Sequence, residues 1–325
     1  MIISKTPLRM SFAGGASDFK DYYRKKYGAV VSVAIDKYIY VTVNRKFDDF
    51  IRVNYSKTEI TDDVNKIEHN LVREALKLTG VTKGIDITYM SDMLPAHEGT
   101  GLGGSSCLAV GILNALHAFK GERVSTSQLA KEAAQIEIDI LKHPMGKQDH
   151  YPAAFGNLNF IKFNPDESVS VEPVICKPEI KKELDDNLLL FYTGSGSSSS
   201  AVLPEQKKNI DINCDFLDRM VQLAEQLKGS LCNNEIKDFG NILHQGWELK
   251  QKLASNISNQ EINNYYQKAI DAGAEGGKIL GSGGGGFLLF YCPKEKQDEV
   301  RQALSDLKET PFRFEAEGSK IVYVD

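Results

Sequence analysis

Residues 95–106 read Pro-Ala-His-Glu-Gly-Thr-Gly-Leu-Gly-Gly-Ser-Ser and run straight into the apolar stretch Leu108-Ala109-Val110-Gly111-Ile112-Leu113. Before them Ile85, Ile87 and Tyr89 alternate with Asp86 and Thr88. Gly99, Gly101, Leu102, Gly103, Gly104, Ser105 and Ser106 therefore stand between a strand and the first turn of a buried helix. Backbone of that kind holds phosphate, because glycine lets N–H groups approach an anion and a helix N-terminus adds unpaired donors and a positive dipole end. No lysine succeeds the glycines, which excludes the ordinary P-loop. Gly99, Gly101 and Gly104 match the dinucleotide fingerprint letter for letter. That fingerprint needs a second parallel strand after its helix. Beyond Phe119 the chain has instead a polar turn and a second helical pattern (Leu129, Ala133, Ile136, Ile140). A dinucleotide-dependent oxidoreductase is the weakest reading of the loop.

Three further constellations carry chemistry. Pro7 to Asp18 is a strand ending in Gly14-Gly15-Ala16-Ser17-Asp18. Arg9 on it is a fixed cation that could neutralise a phosphoryl group in transfer, and Asp18 could accept hydrogen bonds from sugar hydroxyls. Taken singly, an arginine in a surface ion pair and an aspartate in a turn are the plainer readings. Gln135-Ile136-Glu137-Ile138-Asp139 lies on a helix, with Gly146-Lys147-Gln148-Asp149-His150 in a loop beyond it. Phosphoryl transfer needs a divalent metal on the nucleotide and a group that orients or deprotonates the acceptor hydroxyl, tasks that Glu137 and Asp149 could divide. Periodicity leaves open whether Glu137 faces inward or shares a solvated face with Asp139. His143 and His150 read as structural or substrate-lining rather than as bases. In Lys278 to Phe287, four consecutive glycines at 283–286 precede the strand-forming Phe287-Leu288-Leu289-Phe290. Such a run is costly to order unless another backbone or a ligand must come close.

Together these strings resemble the GHMP small-molecule kinases. The loop is similar to that family's Pro-x-x-x-Gly-Leu-Gly-Ser-Ser, with Gly104 in place of the first serine. Pro7 to Asp18 is similar to its first motif, with Ala16-Ser17 for Gly-Thr, and Lys278 to Gly286 to its last, with Ser282 for alanine. The resemblance spans nearly the whole chain. It implies an α+β, two-domain fold, the N-terminal half like domain 2 of ribosomal protein S5 and the C-terminal half ferredoxin-like. It also implies an ATP- and Mg2+-dependent phosphotransferase. On this reading Asp149 and Arg9 are catalytic, Gly99 to Ser106 bind the nucleotide, and Ser105, with or without Ser106, holds the metal together with Glu137. Gly14, Gly15, Ser17, Asp18, Lys147 and Gly284 meet the acceptor. Tyr192-Thr193-Gly194 and His244-Gln245-Gly246-Trp247 look most like the bacterial D-glycero-D-manno-heptose 7-phosphate kinases, which phosphorylate the anomeric hydroxyl. One departure is that glycine and serine alone come after Thr193 as far as Ser200, so a phosphate on the acceptor would have to meet Lys147 or Lys250, or the acceptor is an unphosphorylated sugar. A kinase for fucose or galactose is the alternative in the same class. A non-catalytic sugar and nucleotide sensor is the alternative from another, and the presence of both Glu137 and Asp149 counts against it.

The elements that must position these residues emerge from period and punctuation. Strands are expected at Ile2-Ile3-Ser4, Leu8 to Phe12, Ala29 to Ala34, Tyr38 to Asn44, Asn157 to Phe163 and Val169 to Val174, and helices at Lys66 to Leu78, Ser106 to Phe119 and Ser127 to Leu141. The polar, proline-started segment from Cys176 to Asn187 is the expected boundary, giving an ATP-binding domain at 1–183 and a second domain at 184–325 that carries the glycine loop 278–287. At 325 residues, 42% hydrophobic and 26% charged, the chain can fill two cores. A formal net charge of −5 provides no basic field for nucleic acid. Five scattered cysteines, no apolar leader after Met1 and no apolar run of about 18 residues point to a cytoplasmic protein that binds no membrane. The expected partner is a sugar or sugar phosphate, with the oligomeric state open.

Overall fold

Two long strands carry the N-terminal half of the chain. The computed structural model describes residues 1–93, 99–194, 196 and 199–325. In it the four short strands expected before residue 45 are two continuous ones, β1 (Ile2–Ala13) and β2 (Gly28–Arg45), paired antiparallel from Ile2 opposite Val43 to Ala13 opposite Val31. The ladder shifts register between Pro7 and Leu8. Proline has no N–H to give the ladder, so the strand bulges there rather than stopping. Along β1, Leu8, Met10 and Phe12 point one way and Arg9 and Ser11 the other, yet every residue from Thr6 to Ala13 is buried. Both faces are covered, so the polar side chains in that run must meet a polar site.

A four-residue helix α1 (Lys20–Tyr23) joins these strands, and β3 (Ile51–Asn54), β4 (Thr58–Thr61), β5 (Ile85–Ser91), β6 (Leu158–Phe163) and β7 (Val169–Pro173) extend the sheet. β2 reaches across it, pairing with β6 through its first half and β5 through its second. Helices α2 (Asn70–Thr79), α3 (Gly104–Phe119), α4 (Thr126–Ala134) and α5 (His150–Phe155) pack against it and one another. α2 starts four residues later than its apolar spacing suggests. Val64–Lys66 is a separate 3-10 turn, and His69 caps the helix by accepting the Val72 N–H. The expected Ser127 to Leu141 helix turns into a π-helix at Gln135–Ile140.

The expected boundary is itself a helix, α6 (Pro178–Asp186), with proline in its first turn and Leu184 buried. Beyond it come β8 (Leu188–Tyr192), α7 (Ser199–Lys208), α8 (Cys214–Cys232), α9 (Phe239–Gln251), α10 (Gln260–Asp271), β9 (Gly276–Ile279), β10 (Phe287–Tyr291), α11 (Gln297–Ala303) and β11 (Lys308–Glu309). Their antiparallel sheet has the order β11-β8-β10-β9, that of a ferredoxin-like fold. The last strand, β12 (Lys320–Val324), returns to pair with β1. The first sheet thus draws one strand from beyond residue 184. α8 and α9 also pack on β1, with Phe12 edge-on to Phe239 at 5.1 Å. No helix among the described residues is long and apolar enough to cross a membrane.

Candidate active site

A cavity of about 620 Å3 opens between the two sheets' glycine loops, lined among others by Arg9, Ser11, Gly15, Asp18, Asp149, Lys250, Lys278 and Ser282. Gly99, Gly101, Gly103, Gly104 and Ser105 line it from the phosphate loop, whose residues 94–98 lie outside the described residues. Gly103 adopts φ +76° as the cap of α3, so the helix N-terminus and its free N–H groups begin at the cavity wall. A Cβ on Gly103 would come within 3.1 Å of Arg9 Cγ and Nε. The glycine makes room for the arginine.

Arg9 ties three parts of the site together. Its Nε and Nη2 donate to Asp149 Oδ1 and Oδ2 at 2.8 and 2.6 Å, its Nη1 to the Gly101 carbonyl at 2.8 Å, and its backbone N–H to the Leu102 carbonyl at 3.1 Å. The fork of the guanidinium suits this two-point contact. Burial works against the charge on Arg9, but the ion pair and hydrogen bonds with Asp149 outweigh it and hold the guanidinium more firmly protonated than usual.

Glu137 lies in the π-helix and is wholly buried. It stands four residues after the buried Ala133 and seven after Ala130, on the face that α4 already turns inward. Its Oε2 accepts from Ser106 Oγ at 2.7 Å and pairs with His150 Nε2 at 2.8 Å. Burial alone would raise this carboxyl. The His143, His150 and Ser106 side chains outweigh burial and hold it well below the usual carboxylate range. His143 Nδ1 lies 3.5 Å from Oε1, within ion-pair reach, and Oε1 is buried with no hydrogen-bond partner among the described residues. An ionised carboxylate oxygen that makes no hydrogen bond is a fit donor for a divalent cation, although Glu137 and Ser106 lie behind the residues that line the cavity. Ser106, not Ser105, contacts Glu137; Ser105 is exposed on the cavity wall.

At the other end of the cavity Asp18 is buried and held by its neighbour in space. The Gln148 backbone N–H donates to Oδ2 at 3.0 Å and its Nε2 to Oδ1 at 2.8 Å. Burial pushes the Asp18 carboxyl up to about 6 against the pull of the Gln148 backbone N–H, and Asp149 adds to the rise. Across the cavity Lys250 Nζ donates to the carbonyls of Ile279 and Gly281 at 2.9 and 2.6 Å, and Lys278 Nζ to those of Ser11 and Phe12 at 2.9 and 3.2 Å. Burial lowers both ammonium groups, Lys278 to about 7. The two glycine loops meet backbone to backbone, where a Cβ on Gly101 would sit 2.6 Å from the Leu280 carbonyl oxygen.

The residues expected from sequence therefore divide. Arg9, Asp149, Asp18, Gly15 and the glycines with Ser105 converge on one cavity. Leu102 serves it from behind through its carbonyl. Gly14 and Ser17 do not line it: Ser17 Oγ donates to the Gly14 carbonyl at 2.7 Å, and a Cβ on Gly14 would collide with the Ala29 carbonyl. They shape the turn that delivers Asp18. Lys147 also points elsewhere, bound to Glu167 Oε2 at 3.2 Å and lying 4.3 Å over the Tyr23 ring. Gly284 gives its N–H to the Ile257 carbonyl and is likewise off the wall. His143 lines the cavity, whereas His150 is buried behind it. Sequence reasoning misses Ser11, Gln148 and Lys278 as site residues, although alternation along β1 puts Ser11 on the Arg9 face.

Comparison with known proteins shows the family. Residues 65–157 match the GHMP kinases N terminal domain and residues 227–309 the GHMP kinases C terminal domain. The chain is 29% identical to a D-glycero-alpha-D-manno-heptose 7-phosphate kinase of Campylobacter jejuni, over 98% of each. It is 26% identical to the bifunctional fucokinase/GDP-fucose pyrophosphorylase of Arabidopsis thaliana, over 92% of this chain and 31% of that protein. The crystal structure of a D-glycero-D-manno-heptose 1-phosphate kinase from Bacteroides thetaiotaomicron superposes with a TM-score of 0.82 at 27% identity over all of both chains. With both domain models matched in order and the phosphate loop, Arg9 and Asp149 gathered on one cavity, the chain belongs to the GHMP kinases and is an ATP-dependent phosphotransferase.

Proposed function

We propose that the protein is a sugar kinase that transfers the γ-phosphate of ATP to the anomeric hydroxyl of a manno-heptose phosphate, D-glycero-D-manno-heptose 7-phosphate. The observation that carries the phosphotransfer part is the two-point Arg9–Asp149 pair on the cavity wall, directly under the carbonyl of Gly101 in the phosphate loop. The heptose part rests on the heptose kinases among the relatives.

In this reading the phosphate loop and the start of α3 cradle the nucleotide phosphates. Asp149 orients the acceptor hydroxyl and takes its proton as the oxygen attacks phosphorus. Arg9 fixes the rotamer of Asp149 and faces the charge that builds on the phosphoryl oxygens. An anomeric hydroxyl is more acidic than an ordinary alcohol, so hydrogen bonding to Asp149 does much of the work of deprotonation. Glu137 with Ser105 or Ser106 would hold Mg2+, which when bound neutralises charge on the nucleotide phosphates. Asp18 accepts hydrogen bonds from the acceptor. Lys147 is turned away to Glu167, so an acceptor phosphate would meet Lys250 or Lys278 on the cavity wall, each of which already gives two of its three N–H donors to backbone carbonyls.

A panel of heptose and hexose phosphates, fucose, galactose and mannose with ATP and Mg2+ tests the reading. The heptose 7-phosphate is expected to be preferred in kcat/KM by about a hundredfold or more, with new 31P signal from an anomeric phosphate. Preference for fucose or galactose, or phosphate on another hydroxyl, would overturn it.

A further inference from the structure

Ser11 Oγ and Gln148 Oε1, both from residues on the cavity wall, are buried with no hydrogen-bond partner among the described residues. Buried polar atoms are nearly always paired, and those left open in a native fold call for a ligand or another explanation. Both atoms stand beside Gly15, where a Cβ would lie 3.9 Å from each. Their chemical roles are fixed by what surrounds them. Gln148 Nε2 is held by Asp18 Oδ1 at 2.8 Å and the Gln148 backbone N–H by Asp18 Oδ2 at 3.0 Å, so the amide cannot flip without losing a bond, and its oxygen is an obligate acceptor. Gly146 permits that arrangement, because a Cβ there would sit 1.9 Å from Asp18 Oδ2. Ser11 is anchored from behind by Lys278 Nζ, 2.9 Å from its carbonyl. Its hydroxyl can donate or accept.

We propose that Ser11 and Gln148 form a hydroxyl-recognition pair that selects the sugar: one acceptor hydroxyl donates to Gln148 Oε1 and accepts from Ser11 Oγ. An ionised phosphate has no proton to give an amide oxygen, so this corner takes a hydroxyl and not the phosphate end of the acceptor. Ser11 shares a strand face with Arg9 two residues away, about 7 Å along β1, and Gln148 is next to Asp149. The recognised hydroxyl is thus one close to the reacting oxygen. The inference rests on the sugar-kinase reading and adds the residues that discriminate among sugars.

The test is a coupling experiment on the full-length enzyme. The best sugar of the panel and its monodeoxy analogues are assayed with wild type and Ser11→Ala, with Gln148→Met as a second variant. Wild type is expected to lose about 30-fold or more in kcat/KM on one particular deoxy analogue, because a site built for a hydroxyl rejects the sugar lacking it. Ser11→Ala is expected to be about tenfold poorer on the parent sugar, to discriminate about tenfold less against that analogue, and to keep its KM for ATP. Ser11→Ala removes one atom and leaves Asp18 untouched, so the test stands on it if Gln148→Met fails to fold. Equal loss on every analogue by wild type and Ser11→Ala, or a matching rise in KM for ATP, would overturn the pair while leaving the kinase reading intact. If no sugar is phosphorylated by wild type, the sugar-kinase reading falls and this inference with it.

Discussion

The guanidinium of Arg9 meets the carboxylate of Asp149 at two points, 2.8 and 2.6 Å, while its third nitrogen holds the Gly101 carbonyl at 2.8 Å. One side chain thereby sets the position of the base candidate relative to the nucleotide loop. A lysine keeps the charge but not the fork. Arg9→Lys is expected to lower kcat by about 10²-fold, a loss of the size seen when one fixed electrostatic donor is removed. Steady-state kinetics check this, and a variant within threefold of wild type would contradict it.

Gly103 is the hinge between that arginine and α3. With φ +76° and a Cβ only 3.1 Å from Arg9 Cγ and Nε, Gly103→Ala strains the backbone and pushes the guanidinium. We expect at least about a tenfold loss of kcat/KM for ATP together with a lowered Tm, of the order of 1 kcal/mol for the φ penalty alone. Calorimetric titration with ADP and thermal unfolding measure the two effects separately.

Asp18 titrates late because burial raises it to about 6, with Asp149 adding to the shift. In its proposed role as an acceptor for sugar hydroxyls it would serve when ionised, so kcat/KM for the sugar is expected to fall as pH drops through about 6. The stability effect has the opposite sense. A carboxyl whose folded pKa is raised favours the fold below its ordinary value near 3.8, and that contribution is lost as pH rises through about 6. Asp18→Asn should remove the acid limb attributable to this group while leaving KM for ATP unchanged. A limb near 6 that persists in the variant assigns it elsewhere.

His150 and Glu137 form a fully buried pair at 2.8 Å. Burial works to lower the His150 pKa, but Glu137 outweighs it and the net shift is upward from 6.5. The stability so contributed is complete below pH 6.5 and is lost as pH rises through the higher folded value. Glu137 has the reverse sign, and its contribution is lost only in acid, below its ordinary value of 4.5. Wild type is therefore expected to lose Tm relative to His150→Gln as pH rises above 6.5 through the raised folded value. Parallel Tm curves over that range would count against a charged imidazole in the fold.

Local pattern reveals the parts of the site that depend on local structure. Period 2 along Leu8 to Phe12 puts Arg9 and Ser11 on one face, and the glycines before an apolar helix mark the phosphate loop. Glu137 is not legible because the groups that hold its carboxylate inside, Ser106 and His150, come from other elements. Lys147 looks equivalent to its neighbours in sequence, but Tyr23 and Glu167 draw it away, and both come from distant segments. β12 returns to β1 across the whole length of the chain, a pairing no local signal encodes. The helix α6 is legible after all: Pro178 in the first turn with Ile180 and Leu184 four apart is a helix start with an apolar stripe, although the polar composition around them reads as a boundary.

The most direct measurement of the central claim is turnover and nucleotide binding of Asp149→Asn, assayed side by side with wild type on the preferred sugar. The substitution keeps size and shape but removes the charge that pairs with Arg9 and that is proposed to receive the acceptor proton. Phosphorylated sugar is expected to form about 10³-fold more slowly, with the affinity for ATP within a few fold of wild type. Turnover near the wild-type rate would contradict the assignment of Asp149 and, with it, the role given to Arg9.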